Sequence, residues 1–401
     1  MANTRLVEID MLRIISILIV VILIHVPINY AYNFYNDLDR YGVFVVNNIG
    51  IFIAMGSFVF ASGFGLYLNP NNREINSVKK GLTFLKKRVL RIFPLYWIAL
   101  VLFLFFLDYL RINPFYLLAH IFGMQLMVAP EFGPPILTLW FIGLIVLYYL
   151  TYITLNLVGS IKRIIPVSIA ILSLFGLLNG FLGLVEYRFF FYYFMFIAGI
   201  AAAGFFTSPY YEIIKERLIK IPKAASLAVP LCLSVIFYFI IGFLCEFCYS
   251  TLNSNYGTSN IEFILARNLD LVEVVSVFFL FNLIMISFVV FAFSSFNFAF
   301  RALGLKVSRS KIESIISPIA YSTYCVYLFH RIFLIIFDFV LIDGLNIDIF
   351  AIENFYLVLL FVPFIFLFSY LIQKGSDRAI NLVLRSKSRK VIIPPLEIET
   401  E

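Results

Sequence analysis

Apolar residues recur along nearly the whole chain in long, Phe-rich runs separated by short polar segments. Runs of about 17–25 mainly apolar residues are long enough to cross a hydrocarbon core of about 30 Å as helix. Ten runs qualify, at approximately 14–31, 43–68, 92–110, 136–158, 164–184, 189–207, 226–247, 269–296, 315–341 and 355–373. The stretch 114–129 is shorter and is broken by Pro114, Gly123 and Pro130, so it reads as a re-entrant or interfacial segment. The pattern predicts an all-α fold: a polytopic membrane helical bundle of about ten transmembrane helices.

Composition agrees with this. Of 401 residues, 62% are hydrophobic and 13% charged, with a mean hydropathy of +0.99; soluble domains carry about 45–50% apolar and about 25% charged residues. That balance excludes a water-soluble enzyme, a disordered chain and a nucleic-acid binder. No stretch is polar enough for a separate soluble domain. Residues 1–375 read as one transmembrane domain and 376–401 as a cytoplasmic basic tail.

The net charge of +7 would suggest anionic partners in a soluble protein, but in a membrane protein basic residues first report topology. With the N-terminus inside, 25 of the 30 Lys and Arg residues fall in cytoplasmic segments. Only Arg40, Arg111, Arg188 and Arg267 fall outside, and Arg331 lies within a span. Both termini therefore read as cytoplasmic, in a multi-pass protein of the cell membrane. Counting 114–129 as a span would move five later basic clusters to the wrong face.

The first run is not read as a signal peptide, because Glu8 and Asp10 precede it and no convincing small-x-small site ends it. No internal repeat is visible, which weakens a transporter built on inverted halves. Cys245 and Cys248 have metal-like spacing, yet no other Cys or His lies near them in sequence, so no metal is expected. A disulfide there is compatible with the outer face but not required.

Polar groups inside spans are costly and mark sites or pathways. Arg13, at the cytoplasmic edge of the first run, can pair with Asp10 at i,i+3. His25 lies twelve residues on, about 18 Å deeper at 1.5 Å per residue. It is either a functional base or a structural His bonded to a carbonyl or held at the outer interface. The third run follows a basic segment with Arg88 and Arg91 on neighbouring turns. This segment is either a positive-inside anchor with interfacial Tyr96 and Trp97, or a clamp for a phosphate-bearing ligand. Pro94 fits the first turn of that helix. Small residues around Ser62 and Gly63 suit close helix packing. Trp140 opens the fourth run. In the ninth, Tyr324, Tyr327 and Arg331 share a face, and His330 lies at a depth like that of His25. His120 reads as structural.

Together these stretches resemble the acyltransferase 3 family of multi-helix membrane acyltransferases. The likeness rests on Ile9, Asp10, Leu12, Arg13 and His25; on Ser62, Gly63 and Phe64; and on Arg88, Arg91, Ile92, Pro94 and Tyr96. It continues with Leu139, Trp140 and Phe141, and with Thr323, Tyr327, Leu328 and His330, Ser322 being shifted by one. Five motifs in order span essentially the full membrane domain. One departure is that Arg13 and His25 enclose eleven residues rather than the family's ten. That moves His25 from about 20° to about 120° around an ideal helix, and a single-turn π-bulge would absorb the difference. A second is that no acid follows Trp140, unlike many sugar-modifying members.

The resemblance implies transfer of an acyl group, usually acetyl, from cytoplasmic acyl-CoA to a hydroxyl of a glycan or lipid. In that reading His25 is the general base, and Arg13, Arg88 and Arg91 hold the donor phosphates. Ser62, Trp140, Tyr324, Tyr327 and His330 then shape the tunnel or the acceptor side. Acetyl-CoA is a co-substrate, and the partners are the acceptor and membrane lipids, with no metal and no nucleic acid. The competing reading is a transporter or flippase for a cell-envelope glycan or lipid precursor.

Overall fold

Long apolar sequence in a solvent that cannot hydrogen-bond the backbone leaves helix as the available outcome, because only there does each segment satisfy its own N–H and C=O groups. The computed structural model describes residues 6–26, 49–107, 110, 112–157, 164–219, 222–256, 264–265, 270–304, 309–347 and 355–389. Among them no strand occurs.

The helices are α1 (Val7–Leu18), α2 (Ile51–Leu68), α3 (Pro70–Arg73), α4 (Val78–Phe106), α5 (Pro114–Ile121), α6 (Gln125–Phe132) and α7 (Trp140–Leu157). There follow α8 (Ile164–Leu182), α9 (Tyr187–Phe206), α10 (Pro209–Ile219), α11 (Lys223–Tyr256), α12 (Leu271–Gly304), α13 (Arg309–Asp338) and α14 (Phe355–Arg389). Nine helical stretches among the described residues are long and apolar enough to cross a membrane, and each overlaps one of the ten expected runs. The remaining run, 14–31, is described as far as residue 26. Its helix starts earlier than expected, at Val7, and is α-helical only to Leu18 before continuing as π-helix over Ile19–His25. A π turn holds one residue more than an α turn, so this is the device that takes up the eleventh residue between Arg13 and His25.

Two expectations about α4 are corrected. The helix begins fourteen residues before the apolar run, where the Ser77 side chain accepts the Lys80 N–H, so Pro94 lies in its interior rather than its first turn. The basic segment therefore forms the leading turns of the same helix. At about 1.5 Å per residue, twenty-nine residues exceed the hydrocarbon thickness, which leaves those turns outside the apolar layer. Nor is Tyr96 presented at the protein surface. It is fully buried, and its hydroxyl donates to the His120 carbonyl at 2.6 Å, while Trp97 Nε1–H donates to Ile121 at 2.8 Å.

The stretch 114–129 forms two eight-residue helices, α5 and α6, each about 12 Å long and too short to span. Gly123, at φ +68°, makes the turn between them. At the bundle's centre α2 lies against α9. A Cβ on Gly63 would stand 2.3 Å from the Phe196 carbonyl oxygen, and one on Gly199 would stand 2.2 Å from that of Phe60. The small residues thus let two backbones touch, as expected for helices without a hydrophobic driving force between them. Ser234 bonds Ser294 and Ser295 at 3.2 Å each, joining α11 to α12. Cys245 and Cys248 are buried free thiols within α11. The boundary expected at 375 falls inside α14, which runs on to Arg389; the rest of the expected tail, 390–401, lies outside the described residues.

Candidate active site

α1 packs against α13, and His25, at the end of the π-helical stretch that follows α1, meets His330 of α13. His330 Nδ1 lies 3.1 Å from the Val326 carbonyl and 2.9 Å from that of Tyr327. Carbonyls only accept, so in the neutral ring Nδ1 carries the proton and Nε2 a lone pair. That lone pair faces His25 Nδ1 at 2.8 Å, which must then be the donor. The neutral His25 ring is left with its own lone pair on Nε2. A backbone constraint on one helix thus sets the tautomer of a side chain on another, the arrangement a general base needs. Both rings are buried, and Arg331 stands within electrostatic reach of each.

Tyr327 continues the wall. Its ring centroid is 6.3 Å from His330, and its hydroxyl donates to the Thr138 carbonyl at 2.6 Å. The Tyr324 hydroxyl, one turn away, donates to Ile92 of α4 at 2.8 Å. Ser62 is half-buried on α2, next to Ala61, whose carbonyl accepts from Arg13 at 3.3 Å. Trp140 is the first residue of α7, stacked on Tyr192 at 6.0 Å.

The three arginines go to three different neighbours. Arg13 lies 3.7 Å from Asp10, as the i,i+3 spacing predicts, and turns to α2. Arg88 sits over the rings of Phe84 and Tyr149, 5.1 and 5.7 Å from their centroids. It borders an apolar groove of about 190 Å³ that extends to Phe93, Phe122 and Met124. Arg91 is exposed, within electrostatic reach of Tyr321 and Tyr324. Tyr321 in turn donates to Asp377 of α14, a pairing that no sequence motif announced.

His120 is structural, as expected. Its Nδ1–H donates to Tyr116 at 2.9 Å and its Nε2 accepts the Ile136 N–H at 3.1 Å, pinning the segment that leads to Trp140. Burial pushes its pKa down to about 4, which keeps the ring neutral.

Around Trp140 the fold collects residues that the sequence pattern did not single out. The Arg188 guanidinium lies 4.9 Å over the indole and pairs with Glu186. A carboxylate does therefore stand near Trp140, supplied by the segment before α9 rather than by α7. Tyr116 is within reach of both charges. Burial, and then Glu186, push its phenol pKa up, so it stays a donor. Its hydroxyl and that of Thr138 are buried, at 2% and 5% residue exposure, without a hydrogen-bond partner among the described residues. Each such orphan costs about 1–3 kcal/mol. Val185, at φ +70°, turns the chain into this cluster. The one sequence signal was Arg188, one of the few basic residues expected outside the cytoplasmic segments.

Among the described residues no group of three or more His, Cys, Asp and Glu is placed to hold a metal. A polytopic helical membrane protein with a tautomer-locked histidine pair is the class these features define. The sequence model of the acyltransferase 3 family, described as an acyltransferase domain, matches residues 6–374, and the chain belongs to that family. No curated protein and no solved structure matches the chain.

Proposed function

We propose that this membrane acyltransferase moves an acetyl group from cytoplasmic acetyl-CoA to a hydroxyl of a cell-surface or membrane-bound glycan or lipid, with His25 as general base. The observation that carries the proposal is the proton order Val326/Tyr327 carbonyls, His330, His25, which leaves His25 Nε2 able to accept a proton. The acceptor O–H gives its proton to Nε2 as its oxygen attacks the thioester carbonyl. The negative charge that develops on the carbonyl oxygen is offset by Arg331, beside the pair. Collapse breaks the C–S bond, and the departing thiolate takes the proton back from Nε2. The products are the acetyl ester and CoA-SH. His330 is a positioning residue that holds the reactive tautomer. Arg13, Arg88 and Arg91 bind the donor phosphates from the basic, N-terminal end of the bundle.

Protein purified into lipid nanodiscs should consume acetyl-CoA and release CoA-SH in the presence of acceptor, and His25→Ala should abolish this without reducing membrane insertion. Activity surviving that change would overturn the assignment, and movement of acceptor without CoA release would favour transport.

A further inference from the structure

The apolar groove that Arg88 borders lies between α4 and α7 and is closed at both ends. At its basic end the two helices touch: a Cβ on Gly81 would stand 2.9 Å from Ile153, and Phe84 meets Tyr149 and Tyr152 at 5.9 and 5.7 Å between ring centroids. At the other end the α5–α6 turn forms a roof, a Cβ on Gly123 standing 3.0 Å from the Phe93 ring and 3.1 Å from Val146. The space left between is about 190 Å³, lined from α4 by Arg88, Val89 and Phe93 and from α7 by Val146 and Leu150. It opens sideways. Val89 is half-buried, Leu150 is exposed and Phe122, at the roof, is 62% exposed. On a membrane-spanning bundle, apolar side chains exposed in this way face lipid tails.

The half-buried Arg88 guanidinium lies over the faces of Phe84 and Tyr149, which leaves the N–H groups on its edge unspent. Among the described residues no hydrogen bond or carboxylate takes them. Lys86 and Lys87, exposed on the same turn, add charge of the same sign. A cation at one end of an apolar groove that opens to the bilayer matches an amphiphile with an anionic head and a hydrocarbon tail. From Arg88 to Phe93 the groove runs about 7.5 Å at 1.5 Å per residue. That is room for the first carbons of one chain, whose remainder runs out over Phe122. The pantetheine arm of a CoA donor suits this lining less well. Its two amides would lie against apolar side chains and a phenol ring, where burying an unpartnered amide is costly.

We propose that this groove is a lipid site, which takes one acyl chain of an anionic glycerophospholipid and holds its phosphate on Arg88. The acyltransfer reading above gives the same guanidinium to the donor, so lipid and acetyl-CoA compete for it, and anionic lipid raises KM for acetyl-CoA. The competition rests on that reading; the lipid site does not.

Native mass spectrometry of the full chain in mild detergent, titrated with phosphatidylglycerol, phosphatidylcholine and glycerol 3-phosphate, reads the site directly. Phosphatidylglycerol should occupy one saturable site, about tenfold more tightly than either of the others. Arg88→Gln should remove that preference. Val89→Phe, which fills the groove from its half-buried rim, should weaken phosphatidylglycerol about tenfold with Arg88 still in place. Lys79→Gln, which removes an exposed charge in the first turn of α4, should leave the lipid affinities unchanged. Equal binding of the two phospholipids by the wild type, or equally tight binding of glycerol 3-phosphate, would overturn the site. So would phosphatidylglycerol affinity that survives both groove substitutions. In nanodiscs, KM for acetyl-CoA should rise severalfold with phosphatidylglycerol content in the wild type and stay flat in Val89→Phe; a wild-type KM independent of lipid composition would overturn the competition. A KM already raised for Val89→Phe in phosphatidylcholine alone would put the pantetheine arm in the groove instead. Selective, substitution-sensitive lipid binding in a protein that never releases CoA-SH would sink the acyltransfer chemistry and leave the lipid site standing.

Discussion

His330 Nε2 and His25 Nδ1 lie 2.8 Å apart although 305 residues separate them in the chain. Because the His330 proton is tied to its own helix's carbonyls, the pair has one neutral tautomer with an outward lone pair, on His25 Nε2. His25→Ala should lower kcat by about 10²–10⁴, the usual contribution of a general base. His330→Ala should lower kcat by less while leaving KM for acetyl-CoA within twofold, and His330→Gln, which can still accept from His25 Nδ1–H, should recover part of the loss. Steady-state kinetics with both substrates varied checks the split, and equal damage to KM and kcat would mark His330 as structural.

Arg13, Arg88 and Arg91 touch different neighbours, so their contributions to donor binding should be close to additive. Each Ala substitution should raise KM for acetyl-CoA about tenfold, as charge-assisted phosphate contacts do. The measurement is KM with acetyl-CoA and with its 3′-dephospho analogue. The arginine that reads the 3′-phosphate is the one whose removal no longer matters with the analogue.

Gly63→Ala and Gly199→Ala should each destabilise the protein by at least about 1–3 kcal/mol, because the added methyl meets a backbone oxygen that cannot step aside. Gly180, in α8, has open space around its Cβ direction, and Gly180→Ala should be neutral or slightly stabilising. Thermal unfolding of the four proteins in nanodiscs gives the comparison.

His120 has its folded pKa lowered to about 4 from the usual 6.5. The unfolded chain therefore binds the extra proton between those values, and the stability this group contributes is present above pH 6.5 and is lost as pH falls toward 4. Midpoint temperatures measured across that window should fall more steeply for the wild type than for His120→Asn, which cannot titrate. Parallel curves would show that the acid sensitivity lies elsewhere.

Much of the helical layout was legible because a membrane span is a local property: twenty apolar residues must be helix wherever they sit. The same logic explains the failure at α4. Hydropathy marks where apolar sequence begins, whereas the helix begins where Ser77 caps it, and a polar amphipathic lead-in carries no apolar signal. The eleventh residue between Arg13 and His25 was visible by counting, and it called for a π turn; its location at Ile19–His25 is now given.

Composition and spacing determined by themselves the membrane environment, the family resemblance and the separate presence of His25 and His330, since each depends only on residues near in sequence. Tertiary structure alone decided that the two rings share a proton, that three arginines diverge, and that Glu186, Arg188, Tyr116 and Thr138 gather at Trp140. Hydrogen bonds and ion pairs act over about 3–4 Å and are indifferent to sequence separation, so only the packing of the helices brings such partners within range.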